Sequence, residues 1–182
     1  MKKGKGSPSA GRPGEAVARW DGFIPIGGSP RARLLDTALT SFGQSGYDGV
    51  ALAQLARASG LTTGAIYHHF GSKAGLYDVV RTEVERRIRD RMEGAAEAGA
   101  GLAAVLAVGL DAARRLGVVR LLAEAAPKGR QDVLRPLIIG WGEGRHPGAG
   151  KLVAGIWLAA LSALNEGDEP ESVRTALTHL LD

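Results

Sequence analysis

From Ser29 to the carboxyl end, apolar side chains recur every three or four residues, and glycine or proline interrupts this pattern at short intervals. Such spacing places the apolar residues of each segment on one face of an α-helix. No segment shows the alternation of apolar and polar residues that is typical of a β-strand. The sequence therefore predicts an all-α fold.

Capping residues mark where the first helix begins and ends. Ser29 immediately precedes Pro30, a pair that is favoured at the N-cap and at the first helical position. The apolar run that follows stops at Gly46, which favours a helix end there. The core positions predicted for this helix are Leu34, Leu35, Ala38, Leu39 and Phe42.

A longer helix, the fourth, is predicted over residues 72–92, with Ser72 as its N-cap. Its apolar residues are spaced by four, so they share one face, and the outer face is expected to carry charge. Oppositely charged residues on that outer face stand four apart in the order that favours ion pairs. The apolar positions are Leu76, Val80, Val84 and Ile88, and the pairs are Glu83–Arg87 and Glu85–Arg89.

Beyond Gly94 the chain is rich in Ala, Leu and Gly, and the helical pattern continues. Pro136 is expected to kink or shorten one of these helices, because proline lacks a backbone N–H. The Gly-rich stretch 142–150 is expected to separate two of them. Helices are predicted near residues 101–116, 118–126, 131–141, 149–166 and 170–181.

Residues 50–70 contain two short helical patterns joined by a tight turn at Gly60, with Thr62 or Thr63 expected to cap the second helix. In a helix-turn-helix, the first helix braces the second, and the second presents its N-terminal residues to base edges in the major groove of DNA. This segment fits that arrangement. The apolar residues expected to lock its two helices together are Leu55, Ala56, Leu61 and Ile66.

Residue types around the start of the second of these helices suit contacts with DNA. The hydroxyl groups of Thr62 and Thr63 can hydrogen-bond bases or phosphates, and the lack of a side chain at Gly64 lets the backbone approach closely. Ala65 can contact a thymine methyl group. The side chains expected to reach phosphate oxygens, which position a protein without reading sequence, are Tyr67, His69 and Lys73.

The distribution of charge also indicates a polyanionic partner. Residues 1–91 hold 14 Lys and Arg against 8 Asp and Glu, whereas residues 92–182 hold 9 against 11. A basic amino-terminal half beside a mildly acidic carboxyl-terminal half favours nucleic acid binding at the basic end. A chance asymmetry is the alternative interpretation.

Residues 66–76, Ile-Tyr-His-His-Phe-Gly-Ser-Lys-Ala-Gly-Leu, resemble the signature of the tetracycline-repressor (TetR) family of transcriptional regulators, and residues 31–80 fit its amino-terminal domain. The resemblance implies a homodimer that binds a palindromic operator in double-stranded DNA, usually as a repressor. It also implies release by a small molecule bound in the carboxyl-terminal domain. By this resemblance the residues expected to contact DNA are Thr63, Gly64, Ala65, Tyr67, His69 and Lys73, with His68 as a further candidate.

One departure from the family pattern concerns the start of the second helix. The family often has Ser or Thr as the cap there and a basic or polar residue three positions on, and these positions here are Val50 and Ala53. We expect Asp48 to provide the cap instead.

Three regions are predicted: a flexible, basic, Gly/Pro/Ser-rich extension at 1–28, a helix-turn-helix domain at 29–75, and a helical dimerisation and effector-binding domain at 76–182. Two apolar stripes near the carboxyl end are expected to pair across a two-fold axis, and packing into their own subunit's core is the alternative. The expected interface residues are Leu152, Ile156, Ala159, Ala160, Ala163, Val173, Leu177 and Leu180.

The expected effector is a small apolar molecule held between the helices of residues 101–165. Glu124, Trp141 and Trp157 are the candidates for lining its site, with ordinary core packing as the alternative for the two tryptophans. A DNA-binding or helical interaction protein without any small-molecule effector is the second functional hypothesis. A closed apolar cavity would favour the first hypothesis, and a solidly packed core would favour the second.

Several function classes are not expected. The chain has no cysteine, so disulfides and thiolate metal sites are excluded, and His68 and His69 have no further ligand at metal-binding spacing. No serine lies in a nucleophile motif, so an enzyme is not expected, and no cofactor is implied. No apolar run reaches the ~20 residues of a membrane helix, and the basic start is followed by Gly, Ser and Pro, so a cytoplasmic protein is expected.

Overall fold

The computed structural model describes residues 29–125, 130 and 132–181, and the predicted extension at 1–28 lies outside this part of the chain. Within it the secondary structure is helical without strands, which confirms the predicted all-α class. The helices are α1 (Pro30–Ser45), α2 (Leu52–Ser59), α3 (Thr63–Phe70), α4 (Lys73–Glu97), α5 (Leu102–Leu116), α6 (Val119–Ala123), α7 (Leu134–Arg145), α8 (Gly150–Glu166) and α9 (Pro170–Leu181).

Three of these helices begin at the predicted capping residues. In each case a side-chain hydroxyl oxygen accepts a hydrogen bond from the backbone N–H three residues on, which satisfies one of the free donors of the first turn. The oxygens and donors are those of Ser29 and Ala32 at 3.1 Å, Thr62 and Ala65 at 3.1 Å, and Ser72 and Gly75 at 3.0 Å. Gly46 ends α1 with φ 69°, as predicted.

The start of α2 differs from the prediction. Ala51 is its N-cap and no side chain hydrogen-bonds there, so the expectation that Asp48 caps this helix is wrong. The cap also does not lie at Val50, which is buried in the core. Neither Val50 nor Ala51 has a side chain that can accept a hydrogen bond, so no local signal marked the start of α2.

The first three helices form a small domain around the amino-terminal part of α4. The predicted core residues of α1 are all buried, as are Leu55 and Ala56 of α2 and Ile66 of α3. α4 is 25 residues long and packs against α1 and α3 near its start and against α5 and α7 further along. One continuous helix therefore joins the amino-terminal domain to the remaining helices.

Part of the charged side of α4 is not an outer face. Its apolar positions are buried as predicted, but Arg81, Glu83 and Glu85 are buried too. The Glu83–Arg87 pair is present at 3.1 Å, whereas the predicted Glu85–Arg89 pair is wrong, because Glu85 bonds instead to Arg81 at 2.9 Å. Helices pack on several sides of α4, so a pattern with one apolar stripe does not reveal which polar residues they cover.

The predicted boundaries of α6 and α7 also need correction. α6 ends at Ala123, and α7 continues through Gly142 to Arg145 instead of stopping at residue 141. A Cβ at Gly142 would lie 2.8 Å from the Cα of Gly150, so this glycine allows close packing of α7 on α8 rather than breaking the helix. Pro136 lies in the first turn of α7, where a missing backbone N–H is tolerated.

In the part of the chain that the structure covers, no helix combines the length and the apolar character needed to cross a membrane.

Candidate nucleic-acid interface

The turn between α2 and α3 holds these two helices in a fixed relative orientation. Gly60 adopts a left-handed conformation with φ 71°, which glycine tolerates without steric cost. The N–H of Leu61 donates to the carbonyl of Ala56 at 2.9 Å, and the hydroxyl of buried Ser59 donates to the carbonyl of Leu55 at 2.7 Å. Together with the buried side chain of Ile66, these contacts give the predicted helix-turn-helix.

α3 presents most of its surface to solvent. Among its residues only Ile66 is buried, and Tyr67 is 52% exposed although it is a large aromatic residue. The residues predicted to contact DNA all lie on α3 or at the turns that flank it. Those that are exposed are Thr62, Gly64, Tyr67, His68 and His69, and those that are half-buried are Thr63, Ala65 and Lys73.

The chemistry of this surface suits phosphate binding. The hydroxyl oxygen of Thr62 already accepts the N–H of Ala65, so its proton remains available to donate. Lys73 holds its ammonium group 4.4 Å from the centre of the Tyr47 ring, a cation–π contact that orients the side chain. The ring of Tyr47 in turn packs edge-on against Tyr77 at 5.0 Å, which connects Lys73 to the core.

Two polar residues that the sequence pattern did not indicate are exposed on the helices that precede α3. The guanidinium of exposed Arg31, at the start of α1, lies 5.6 Å from the ring centre of Phe70, the last residue of α3. Gln54 is exposed on α2 and follows the N-cap Ala51 by three positions. The family pattern has a basic or polar residue three positions after the cap of this helix. With the cap at Ala51 that residue is Gln54, whereas a cap at Val50 placed it at Ala53.

A second feature is a cavity of about 120 Å³ between α4, α7 and α8. Trp157, one of the candidates for an effector site, lines this cavity, and its indole N–H donates to the carbonyl of Leu106 at 3.2 Å. Trp141 and Glu124 do not line this cavity. Glu124 lies instead where α6 meets the end of α1, with its carboxylate accepting the N–H of Tyr47 at 3.1 Å.

Two buried charged residues form the inner wall of the cavity. The guanidinium of Arg81 donates to a carboxylate oxygen of Glu85 at 2.9 Å and to the hydroxyl of Tyr77 at 2.9 Å. Burial opposes the charge of Arg81, but the contacts with Tyr77 and Glu85 outweigh it and hold the pKa of the guanidinium above its ordinary value. Arg81 therefore stays charged inside the protein.

The residues predicted for a dimer interface fall into a more exposed set and a buried set, and all of them except Leu152 line a groove between α8 and α9. Leu152 and Leu180 are 69% and 66% exposed. Ala159 is also exposed, and Ile156 and Ala163 are half-buried. The buried set packs into the chain's own helical body because α9 lies across α5 and α8, and it forms only the floor of the groove. This set is Ala160, Val173 and Leu177.

α1, α2 and α3 form a three-helix domain, and α3, the second helix of the helix-turn-helix, is exposed. The long helix α4 joins this domain to further helices. This arrangement is typical of helix-turn-helix regulators. Residues 34–80 match the family described as bacterial regulatory proteins, tetR family. Residues 34–80 are therefore similar to the helix-turn-helix domain of TetR-family transcriptional regulators.

Curated relatives agree with this assignment. The chain is 33% identical over 94 residues to the HTH-type transcriptional regulator BetI of Paraburkholderia phymatum, covering 49% of this chain and 48% of that protein. It is 34% identical over 86 residues to the regulator of the same name from Burkholderia thailandensis, covering 44% of each. The chain thus spans about half the length of these relatives.

Solved structures share the fold over most of the chain. A transcriptional regulator of the TerR/AcrR family from Aquifex aeolicus is 20% identical with a TM-score of 0.62, covering 84% of this chain and 98% of its own. A tetR family regulator from a Shewanella species is 21% identical with a TM-score of 0.60, covering 84% of this chain and 96% of its own. At this level of identity the likeness concerns the fold alone.

Proposed function

We propose that the protein is a homodimeric transcriptional repressor that binds a palindromic operator and is released by a small-molecule effector. The observation that carries this proposal is the exposed surface of α3, where residues suited to base and phosphate contacts lie together on a braced helix.

The amino-terminal end of α3 enters the major groove in this proposal. Thr63 and Ala65 contact base edges, and Gly64 allows the close approach, since a Cβ there would meet only the Thr62 hydroxyl, 3.8 Å away. The phosphate contacts come from Tyr67, His68, His69 and Lys73, with Thr62 donating through its free hydroxyl proton.

The groove between α8 and α9 receives a second copy of the chain. Its apolar lining includes Leu180, and Leu152 is a second large apolar side chain exposed on α8 outside the groove. Exposed apolar patches of this kind are typical of protein–protein interfaces. Two-fold pairing would place one α3 on each half-site of a palindrome, with the half-sites a whole number of helical turns apart.

The cavity lined by Trp157 supports release by an effector over the alternative without one. A regulator controlled only by abundance or protein contacts needs no space between its helices, whereas the helices here surround a partly open cavity of about 120 Å³ with mostly apolar walls. α4 lines this cavity and also begins directly after α3, so a ligand that tilts α4 would change the separation of two recognition helices.

Selection of binding sites from a random duplex library with the purified protein tests the DNA-binding part of the proposal. We expect enrichment of a palindrome, and affinity for it that falls steeply with salt. Recovery of sequences no different from the starting library would contradict the proposal.

A further inference from the structure

The walls of the cavity restrict what it can hold. Its apolar lining comes from α6, α7 and α8, and its volume is about 120 Å³. An enclosed apolar cavity of about 150 Å³ holds a benzene molecule, so this smaller and partly open cavity has room for an apolar group of at most a single ring. The main apolar contributors are Leu122, Leu134, Ile138, Trp157 and Leu158.

The polar groups deep in the cavity are already satisfied by protein partners. One carboxylate oxygen of Glu85 accepts from Arg81 at 2.9 Å, and the other accepts from Arg130 at 2.7 Å and from the N–H of Val133 at 3.0 Å. The remaining nitrogens of Arg81 donate to Tyr77 and to carbonyls at the end of α6. A ligand therefore gains little by placing a polar group at this inner wall.

The carboxylate of Asp132 at the edge of the cavity is also engaged. One of its oxygens accepts the N–H groups of Leu134 at 3.0 Å and Arg135 at 2.9 Å, so it caps α7. The indole N–H of Trp157 is engaged as well, by the Leu106 carbonyl.

Two cationic side chains remain available at the rim. Arg135 and Lys151 both line the cavity and both are exposed, and neither side chain takes part in a hydrogen bond or ion pair within the described residues. The positive charge of Lys151 interacts electrostatically with the carboxylate of Glu143. That carboxylate already accepts the N–H groups of Gly148 at 2.8 Å and Gly150 at 3.0 Å. These hydrogen bonds are the main reason that the pKa of Glu143 is lowered.

We infer that the cavity binds a small organic anion, namely a monocarboxylate whose apolar part is about the size of one aromatic ring. The ring lies against Trp157 and the apolar wall, and the carboxylate stays at the rim between Arg135 and Lys151. Keeping the charge at the rim avoids the cost of burying it without a partner. That this ligand acts as the effector rests on the function proposed above.

Binding of benzoate to the full chain, measured by isothermal titration calorimetry, tests the inference. Benzamide and benzylamine serve as neutral and cationic probes of the same size. We expect benzoate to bind about tenfold more tightly than benzamide, because a charged acceptor strengthens hydrogen bonds to the rim cations. The double variant Arg135→Gln/Lys151→Gln should abolish this preference. Arg115→Gln, which removes an exposed cation from α5 outside the cavity lining, should preserve it.

Three results would overturn the inference: equal or tighter binding of benzamide or benzylamine, a benzoate preference that survives the double rim variant, or no binding of any of the three probes. The same protein samples are assayed for DNA selection without ligand. Failure of DNA selection overturns the proposed function and leaves the ligand class standing. Conversely, if the protein stays bound to its operator at saturating benzoate, only the effector role of the ligand is contradicted.

Discussion

The carboxylate of Glu124, at the end of α6, accepts a hydrogen bond of 3.1 Å from the backbone N–H of Tyr47, which follows α1. The backbone carbonyl of Glu124 accepts from the cavity residue Arg81 at 2.9 Å. Because the ring of Tyr47 lies beneath the ammonium group of Lys73, Glu124 connects the cavity wall to an expected phosphate contact.

Replacement of Glu124 by Ala should lower the free energy of unfolding by about 1–3 kcal/mol, because the Tyr47 N–H and the guanidinium of Arg120 lose their acceptor. Glu124→Gln keeps an oxygen acceptor and should lose less. Urea titrations followed by circular dichroism measure both variants. If the two variants unfold at the same urea concentration as the unchanged protein, this connection contributes nothing to stability.

Lys73→Ala should weaken binding to all DNA sequences alike and reduce the slope of log affinity against log salt by about one. Fluorescence anisotropy titrations across a salt series measure this slope. Arg115→Gln, a lost cation far along the chain on α5, serves as the matched control and should leave the slope unchanged. An unaltered slope in Lys73→Ala would remove this residue from the phosphate contacts.

Thr63→Ala should instead change base preference, at a cost of about 1–3 kcal/mol for each lost base contact. Binding-site selection with this variant checks the expectation. A selected site identical to that of the unchanged protein, bound with the same affinity, would show that Thr63 reads no base.

Arg31 and Gln54 should extend the phosphate contacts beyond α3. Arg31→Ala removes a cation beside Phe70 and should reduce the salt slope by about one, whereas Gln54→Ala should lower affinity with little change in slope, since Gln54 is uncharged. The same anisotropy titrations resolve the two effects. Equal slopes for Arg31→Ala and the unchanged protein would argue against a phosphate contact at Arg31.

Leu180→Asp should dissociate the dimer and leave the subunit folded, because Leu180 is 66% exposed at the groove rim. Leu177→Asp should destabilise the fold instead, because this side chain is buried and its charge would lack a partner. Sedimentation velocity and circular dichroism distinguish dissociation from unfolding. A monomeric unchanged protein that still binds a palindrome would contradict the proposed dimer.

Arg81→Met should destabilise the fold by about 3–5 kcal/mol, since it leaves Glu85 buried with part of its compensating charge removed. Adding Glu85→Gln should restore part of the loss, because it removes the buried carboxylate charge and keeps an oxygen that accepts from Arg130 and from the N–H of Val133. Unfolding of the two single variants and the double variant gives the coupling energy. Strictly additive losses would mean that the two charges do not interact.

The sequence was sufficient for structure that depends on near neighbours. The caps at Ser29, Thr62 and Ser72 and the turn at Gly60 were predicted because each involves residues within about four positions of one another. The grouping of the expected DNA contacts on α3 follows from the same local pattern, and their roles stay predictions. The start of α2 was misplaced by one residue because neither Val50 nor Ala51 has a side chain that can accept a hydrogen bond.

Contacts between distant parts of the chain account for what the sequence pattern did not show. Glu85 is buried because Arg130, 45 residues away, folds back onto α4 and completes its hydrogen bonds. α7 continues through Gly142 because α8 packs closely against that position. Val173 and Leu177 face inward because α9 lies across α5 and α8. An apolar or charged residue has the same local signature whichever neighbour covers it, so these outcomes depend on how the helices assemble.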